Sequence, residues 1–595
     1  MDGIAKRIRR LKEFAAPYIA SRFDITRYQI VSALILAGLS FLLRQLAMLL
    51  IRSSGRVAVS TGDFDFLFKT WQGPLLIFVG LATLFVYVAF DLNTQIIYAS
   101  RLLKGEPNLL ASIRDGFLSI RNFFTLDGIG IVIYIALIAP IIGFSFTISL
   151  TDSLYIPAFI SSVINAVPAY HALYDLFFVG FTVFGIINIF TIHGILLDGY
   201  RSCDADNESR KLMKANWKDF LIQHLKIGVM LALLFILSLA GFVFVVIILY
   251  KLFNDQQIIE ITFVALAILA TLLAIYLTSI FKFYYMIWIT NLYYKYKGVE
   301  LSFQPRKKKG HLILSFLIAI CVFTLVILAT IYIDRNFDQL FIMEIKPELI
   351  AHRAGGVEAP ENTVAGIEKA IELGAAGSEI DVQRTRDGYY VINHDSTFAR
   401  LCGNRGKPEE LMLEQIRELT IADPLFPEMA EPVPTFEEML DAAKGRIILF
   451  IELKGSTADN QMADDVISMI KEKDMEEECV VISLKYPLIS YIEEKYPKIQ
   501  TGYLTFASFG SIEQLNCDFI GLEESAASRA NIDAIHKAGK KAMVWTPNEE
   551  DSQKKFLLSD ADYIITDRIS QAEEIIVQLN ERTELGVILD LATLK

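Results

Sequence analysis

The sequence predicts two domains of different class, an N-terminal α-helical polytopic membrane domain and a C-terminal α/β barrel. Three observations support this prediction. The 595-residue chain is 53% hydrophobic, more than the roughly 45–50% typical of a soluble protein, and its longest apolar stretches lie in the first half. Residues 1–335 carry a net charge of +10, whereas residues 336–595 carry −22. From about residue 346 onward, short β-branched stretches alternate with helical patterns.

Seven stretches of the first half are long and apolar enough to cross a membrane. A hydrocarbon core of roughly 30 Å requires about 20 apolar residues in a helix. Segment 153–168 is shorter and contains Pro157 and Pro168, so we do not predict that it crosses. The predicted spans are 28–51, 74–98, 128–150, 173–198, 227–250, 258–284 and 311–333.

The distribution of basic residues predicts the orientation of these spans. Alternate connecting segments, beginning with residues 1–27, hold 23 Lys and Arg residues, whereas the segments between them hold 4. Because basic loops stay in the cytoplasm, the amino terminus is predicted to lie inside. An odd number of spans then places everything after residue 333 outside the cell. We therefore predict a multi-pass cell-membrane protein with an extracytoplasmic C-terminal domain.

These patterns also predict the domain boundaries. Residues 1–335 form the membrane domain, 336–345 a short linker, 346–582 the barrel and 583–595 a C-terminal tail. The lipid bilayer is thus a predicted partner. Nucleic acid is excluded, because the acidic C-terminal half offers no basic face for phosphates.

The repeated β-α units of the second half predict a TIM barrel, whose functional groups lie at the C-terminal ends of the strands. Nine strand-like stretches are separated in most cases by helical patterns. They are Glu348–His352, Glu379–Val382, Tyr389–Asn393, Ile447–Leu453, Cys479–Ser483, Ile499–Leu504, Phe519–Gly521, Lys541–Trp545 and Tyr563–Thr566.

Charged residues and histidines lie at four of these strand ends. Glu379 and Asp381 stand at alternate positions and therefore on one side of a strand. Glu452 and Lys454 repeat that spacing, and two pairs, His352-Arg353 and His394-Asp395, end two further strands. Three converging carboxylates repel one another unless a hard divalent cation neutralises them. The histidines suit proton transfer, and Arg353 and Lys454 suit an anionic substrate.

The motifs that contain these residues resemble those of the glycerophosphodiester phosphodiesterase family. They follow the family order over about residues 348–580. The blocks are His352-Arg353-Ala354-Gly355, Pro360-Glu361-Asn362-Thr363, Glu379-x-Asp381, Thr385-Arg386-Asp387-Gly388, His394-Asp395, Glu452-x-Lys454, Trp545-Thr546 and Ile565-Thr566-Asp567. The first half is similar to the membrane domain fused to some bacterial members. Ala354 departs from the usual glycine of the first motif.

The resemblance implies a role for each of these residues. Glu379, Asp381 and Glu452 would hold one divalent cation, Ca²⁺ or Mg²⁺. His352 and His394 would be the catalytic acid–base pair, and Arg353 and Lys454 would bind the phosphate. Trp545 would either stack on the substrate or close the barrel. The implied reaction is the hydrolysis of glycerophosphodiesters to glycerol phosphate and an alcohol, through a cyclic phosphate or by direct attack of water.

Two alternatives differ from that reaction in substrate or in class. A barrel on a short tether favours lysophospholipids or glycerol-phosphate polymers presented by the membrane domain. Alternatively, the first half is a transporter or binding module coupled to the barrel. This second alternative rests on ionisable residues in or beside the predicted spans, namely Arg44, Asp91, Asp127, Asp175, His193, Asp198 and Lys282.

Overall fold

The C-terminal half of the computed structural model is a closed barrel of eight parallel strands, as the sequence predicts. The strands follow one another around the barrel in the order β2 (Glu348–Ala351), β3 (Gly377–Arg384), β7 (Ile448–Leu453), β8 (Cys479–Ser483), β9 (Gln500–Thr505), β11 (Phe519–Glu523), β12 (Lys541–Trp545) and β13 (Tyr563–Thr566). Pairing of β13 with β2 and of β2 with β3 closes the ring. Each strand lies within two residues of its predicted position.

The structure describes most, but not all, of the chain. The described residues are 2–60, 64–125, 128–130, 164, 167–252, 265, 268–270, 281–299, 301, 324–332, 335 and 345–582.

Five shorter strands lie outside the ring. They are β1 (Ala58–Ser60), β4 (Tyr390–Ile392), β5 (Thr420–Ile421), β6 (Glu431–Pro432) and β10 (Ser508–Gly510). β4 runs antiparallel to β3, so the predicted stretch Tyr389–Asn393 is a strand but not a member of the barrel. β1 pairs with β10, and β5 pairs with β6.

Alternation along the strands divides the barrel residues into two sets. Nine buried residues, among them Ile350 and Phe450, fill the barrel interior, and a larger set packs between the strands and the helices. Side chains at every second position share a face, so His352, two residues after Ile350, and Glu452, two residues after Phe450, point toward the barrel axis. The same periodicity that fills the core thus directs the polar groups to the mouth.

Helices connect the strands, and several begin at a side-chain cap. Thr363, Thr435, Asp459 and Ser528 each accept a hydrogen bond from a backbone N–H three residues later, which fixes where the helix starts. The α-helices of this half are Val364–Glu372, Ala399–Cys402, Leu413–Arg417, Phe436–Ala443, Asn460–Glu472, Tyr486–Lys495, Arg529–Lys537, Glu550–Leu557 and Ile569–Asn580, with 3₁₀ turns at Pro408–Glu410 and Ile512–Gln514.

The described residues of the N-terminal half form helices joined by short connections, and β1 is their one strand. Its helices are Asp2–Ser53, Phe64–Lys69, Gln72–Leu103, Leu109–Leu118, Pro168–Ile187, Thr191–Leu197 and Ser202–Leu252, with a 3₁₀ turn at Ser119–Phe123. Further helical residues are 281–296 and 324–332.

Among the described residues, three helical segments are long and apolar enough to cross a membrane. They are Ser21–Ser53, Gln72–Leu103 and Pro168–Leu197, and they contain the predicted spans 28–51, 74–98 and most of 173–198. Span 227–250 lies within the helix Ser202–Leu252, much of whose side-chain environment falls outside the described residues. The predicted spans 128–150, 258–284 and 311–333 also fall largely outside them. The number seven therefore stays a prediction.

Two of the ionisable residues in these helices have contrasting environments. Asp91 is 1% exposed, and its carboxylate accepts hydrogen bonds from the side chains of Tyr28 (2.6 Å), Ser32 (3.1 Å) and Gln95 (2.8 Å). Arg44 lies exposed on the first helix. A carboxylate with three donors is fully hydrogen-bonded, so Asp91 stabilises the packing of the helices that contact it.

Clustering of contacts divides the chain into two compact units. The first contains most of residues 1–336. The second contains residues 337–595 together with Ala47–Pro74, a segment that the sequence assigns to the membrane domain. The reason is the pairing of β1 with β10, which joins positions about 450 residues apart in sequence.

Candidate active site

Three buried carboxylates meet at the C-terminal ends of β3 and β7. Asp381 on β3 is the register partner of Glu452 on β7, and Glu379 precedes Asp381 by two residues. One oxygen of each carboxylate lies within 4.8 Å of the others, and the three residues are 0–7% exposed. The Glu-x-Asp and Glu-x-Lys spacings thus place three acidic groups on one inward face.

Positive charge and hydrogen bonds partly compensate these carboxylates. The Lys454 Nζ atom lies 2.9 Å from Asp381 Oδ1 and 3.3 Å from Glu452 Oε2, and Asn362 donates to Asp381 Oδ2 at 2.8 Å. Burial, reinforced by the charge of Asp381, raises the pKa of Glu379. Burial would also raise the pKa of Asp381, but Lys454, His394 and Arg353 outweigh it and lower that pKa. The pKa values of these two neighbouring carboxyl groups are thus shifted in opposite directions.

The arrangement fits a hard divalent cation. Glu379 Oε1 is buried and has no hydrogen-bond partner among the described residues. An unsatisfied buried carboxylate oxygen costs free energy, which a cation ligated by that oxygen would recover. Carboxylate oxygens are the ligands that Ca²⁺ and Mg²⁺ prefer. The buried acidic triad is therefore the candidate cation site.

His352 follows β2 and is oriented by Asp567, which follows β13. Its Nδ1 atom lies 2.7 Å from Asp567 Oδ1, and its Nε2 atom lies 3.9 Å from Glu379 Oε2. We therefore assign the Nδ1 proton to the Asp567 bond, which leaves Nε2 facing the triad. Burial alone would lower the pKa of His352, but the Asp567 carboxylate outweighs it and raises that pKa. Asn548 donates to the other Asp567 oxygen at 2.5 Å.

Replacing Asp567 with asparagine should lower turnover about 10- to 100-fold, the usual effect of losing a partner that orients a functional histidine. The side chain keeps its shape but loses the charge that stabilises protonated His352. Steady-state kinetics on the full chain would measure this. The matched control is Asp562→Asn, which alters the Asp562–His536 pair at the opposite end of the barrel. Equal turnover in both variants would remove Asp567 from the mechanism.

His394 and Arg353 form a second polar group at the mouth. Arg353 Nη2 donates to His394 Nε2 at 2.9 Å, and His394 Nδ1 lies 3.0 Å from Asp395 Oδ1. Arg353 Nη1 also contacts Glu361 Oε2 at 3.2 Å, while its backbone N–H donates to Glu379 Oε2 at 2.8 Å. Arg353 Nε is buried without a partner among the described residues, so the guanidinium keeps a donor available.

Arg400 joins the two acidic members of this group. Its guanidinium donates to both oxygens of Glu361, at 2.8 and 2.5 Å, and its Nε donates to Asp395 Oδ2 at 2.8 Å. Burial raises the pKa of Glu361, but the Arg400 hydrogen bonds and the charge of Arg353 outweigh it and keep that pKa low. Arg400 therefore fixes the carboxylates that hold Arg353 and His394.

A tight loop holds the first motif against the following helix. Ala354 adopts φ 73°, in the left-handed region, and its N–H donates to the Glu379 carbonyl at 2.6 Å. A Cβ on Gly366 would lie 2.8 Å from the Ala354 Cβ and 2.9 Å from Gly355 N. The alanine that replaces the usual glycine of this motif thus depends on a glycine in the facing helix.

Gly366→Ala should destabilise the barrel by about 1–3 kcal/mol, because overpacking forces the His352 loop to move. Thermal unfolding of the full chain in detergent would show a lower melting temperature for the barrel transition. Adding Ala354→Gly should partly restore stability, because it removes one of the two colliding atoms. If the two substitutions act additively, the Ala354–Gly366 contact does not position the loop.

The structure joins seven of the eight predicted site residues through direct contacts. His352, Arg353 and His394 connect to the Glu379–Asp381–Glu452–Lys454 cluster as described above. Trp545 ends β12 and packs against the residues that fill the barrel interior, so its position is compatible with either predicted role.

Four positioning residues were given no role from sequence. Glu361, Asn362 and Asp567 lie in motifs that the sequence analysis quotes, so the motifs were a usable signal. Arg400 lies five residues after Asp395, and no motif identified it.

The fold and the site residues define an α/β barrel that brings three buried carboxylates, two histidines and two basic side chains together at its mouth. The sequence matches the glycerophosphoryl diester phosphodiesterase family over residues 352–571, and the membrane domain of glycerophosphoryl diester phosphodiesterase over residues 9–333. The second match alone spans more than half of the chain. The chain therefore belongs to the glycerophosphodiester phosphodiesterase family, in the group that carries a membrane domain.

Individual relatives match part of the chain. A glycerophosphodiester phosphodiesterase of Caldanaerobacter subterraneus is 29% identical over 235 residues, which are 38% of this chain and 95% of the relative. Glycerophosphodiester phosphodiesterase 1 of Bos taurus is 40% identical over 128 residues, 20% of this chain and 38% of the relative. The structure of an Oleispira antarctica phosphodiesterase aligns with a TM-score of 0.36 and 24% identity, covering 39% of this chain and 97% of that one.

Proposed function

We propose that this protein hydrolyses glycerophosphodiesters to glycerol phosphate and an alcohol, with a divalent cation, at an active site formed by the residues described above. One observation supports the proposal more than any other. Two histidines flank a buried carboxylate triad, with His352 Nε2 facing Glu379 and His394 Nε2 bonded to Arg353, and Lys454 lies beside the triad. General acid–base groups next to an anion-binding centre are what phosphodiester cleavage requires.

Each site residue has a distinct proposed role. Arg353 and Lys454 bind the phosphate oxygens and orient the scissile bond. His394, with its Nδ1 proton held by Asp395, accepts a proton from the attacking hydroxyl at Nε2 once Arg353, which donates to that atom in the structure, binds the phosphate instead. His352, whose protonated form Asp567 stabilises, gives a proton to the oxygen of the leaving alcohol. Glu379, Asp381 and Glu452 would hold a divalent cation, whose positive charge would offset the charge developing on the phosphate. We propose Ca²⁺ or Mg²⁺ for that position, because every proposed ligand is a carboxylate oxygen.

Two routes are compatible with these roles. The glycerol hydroxyl beside the phosphate attacks first and gives a cyclic phosphate that water opens, or water attacks directly. A diester whose glycerol lacks that hydroxyl distinguishes them. Only the direct route turns it over.

A substrate panel on the full chain in lipid tests the proposal. It compares glycerophosphocholine, glycerophosphoethanolamine, lysophosphatidylcholine and a glycerol-phosphate polymer, each with Ca²⁺, with Mg²⁺ and with chelator. We expect glycerol phosphate from at least one soluble diester with a cation and none with chelator. The absence of phosphodiesterase activity under every condition would overturn the proposal.

We further propose that the barrel lies outside the cell. Support comes from the 23 basic residues on one set of connecting segments against 4 on the other. Protease added to intact spheroplasts should release a fragment near residues 336–595. Protection of that fragment until lysis would contradict this location.

A further inference from the structure

A short segment between the first two candidate spans is part of the barrel unit. Residues 54–71 connect the helices Ser21–Ser53 and Gln72–Leu103, and β1 lies within this segment. β1 pairs antiparallel with β10, with Ala58 opposite Gly510 and Ser60 opposite Ser508. We call residues 57–60 and 508–511 together the clasp.

Side chains also contribute to the clasp. The Val57 carbonyl accepts from Ser511 N at 3.2 Å, and the Ser60 hydroxyl is hydrogen-bonded to the hydroxyl of Tyr503, a fully buried residue of β9. Ala58 is 6% exposed and belongs to the hydrophobic cluster between the barrel strands and their helices. The segment therefore contributes a side chain to the core of the barrel domain.

The approach of the two strands depends on Gly510. Its φ is +105°, and a Cβ there would lie 2.7 Å from the Val57 carbonyl oxygen and 2.8 Å from the Ala58 Cα. Both atoms belong to the backbone, so no side-chain rotation relieves the collision. A larger residue at position 510 is incompatible with the clasp.

The segment that carries β1 is internally fixed. Phe66 is fully buried, and the Arg56 guanidinium lies 5.9 Å from the centre of its ring. Gly73 N donates to Thr70 Oγ1 at 3.1 Å, and Gly73 packs so closely on the Phe66 carbonyl that no Cβ fits. Gln72 Nε2 reaches Ser53 Oγ at 3.5 Å, which connects the two ends of the segment. These contacts thus flank β1 and join the two helix ends.

The clasp follows the C-terminal end of β9, across the barrel mouth from His352. β9, which leads into β10, is the fifth strand around the barrel when β2, the strand before His352, is counted as the first. In a ring of eight, the fifth strand lies across from the first. None of the clasp residues is among the proposed catalytic, cation-binding or phosphate-binding residues.

We propose that the clasp is a docking surface that anchors the catalytic barrel to the connection between the first two spans. The barrel consequently lies on the same side of the membrane as residues 54–71, whatever the number of spans that follow. This inference uses contacts within one compact unit and does not depend on the proposed reaction. Because residues 52–73 hold 3 basic residues and residues 1–27 hold 7, that side is the outer one.

Disulfide trapping tests the docking. Directly opposed residues of an antiparallel pair have Cβ atoms about 4.5–5.5 Å apart, close to the separation in a disulfide. In a background with Cys203 and Cys402 replaced by serine, the cysteines of Ser60→Cys/Ser508→Cys should form a disulfide. Cleavage at an engineered protease site in 336–344 then gives two fragments, which should migrate together until the disulfide is reduced. The matched control is Ser60→Cys/Ser468→Cys, in which Ser468 lies exposed on the helix Asn460–Glu472.

Gly510→Val supplies the second variant. Added to the Ser60→Cys/Ser508→Cys pair, it should abolish the cross-link, and thermal unfolding of the full chain checks that the barrel still folds. Cross-linking that persists with Gly510→Val, or that equals the Ser468→Cys control, would overturn the clasp. These outcomes are read without any activity, so they are separate from failure of the proposed reaction.

Labelling with a membrane-impermeant thiol reagent tests the shared side. Lys69→Cys places a thiol on an exposed position of the segment, and Ser468→Cys places one on the barrel. Both should react in intact spheroplasts. Reaction of one in intact cells and of the other only after lysis would contradict the anchoring.

Discussion

Replacing Asp381 with asparagine should reduce turnover by at least about 10³-fold, the upper range for removal of one electrostatic group from an active site. Asp381 contacts Lys454 and Asn362 and faces Glu452 in register, so its charge supports both the cation and the lysine. The asparagine has nearly the same shape, so the fold should be retained. Steady-state rates at saturating cation, with thermal unfolding as a check on folding, would measure the effect.

Asp441→Asn is the matched control for this substitution. Asp441 is exposed on the helix Phe436–Ala443 and pairs with Lys473 at 2.6 Å. Exposed ion pairs contribute only about 0–1 kcal/mol, so both turnover and stability should stay near those of the wild type. If Asp381→Asn retained wild-type turnover, the buried triad would not be the catalytic centre.

His352→Ala and His394→Ala should each reduce turnover by about 10²–10⁴-fold, the usual contribution of a proton-transfer group. Neither side chain belongs to the carboxylate triad, so cation affinity should be unchanged. This separates the histidines from Asp381, whose replacement should weaken the binding of the cation itself. Turnover and cation affinity are measured on the same preparations.

His536→Ala controls for the loss of a histidine as such. His536 pairs with Asp562 at 2.8 Å at the opposite end of the barrel. Its replacement should leave turnover unchanged. Retained turnover in either active-site variant would remove that histidine from the mechanism.

The barrel was predictable because its physical signals are local. The barrel strands are short buried stretches, and a polar residue directly follows six of the eight. Cys479–Ser483, Lys541–Trp545 and Tyr563–Thr566 have the predicted bounds in the structure.

The cluster of site residues was predictable for the same reason. Alternate positions on adjacent parallel strands must converge, so Glu379, Asp381 and Glu452 could be grouped from spacing and strand order alone. The orientation of His352 could not, because Asp567 is 215 positions away in sequence. The link from Arg400 to Glu361 and Asp395 also depends on how two loops fold together.

The clasp could not be predicted from local sequence patterns. Residues 58–60 form only a three-residue strand, and no composition or periodicity distinguishes them from an ordinary connection between spans. Their partner lies beyond the rest of the membrane domain and most of the barrel strands. Such a pairing is specified by shape at Gly510 and by burial of Ala58, both of which require the folded barrel.

The dependence of hydrolysis on free divalent cation tests the central claim most directly. The rate of alcohol release from glycerophosphocholine, or from the preferred diester of the panel, is measured with the full chain in lipid over a titration of Ca²⁺ or Mg²⁺. The account predicts no rate in chelator, a rise that saturates as a single site fills, and loss of that response in Asp381→Asn. A full rate in chelator, or an unchanged cation response in Asp381→Asn, would contradict it.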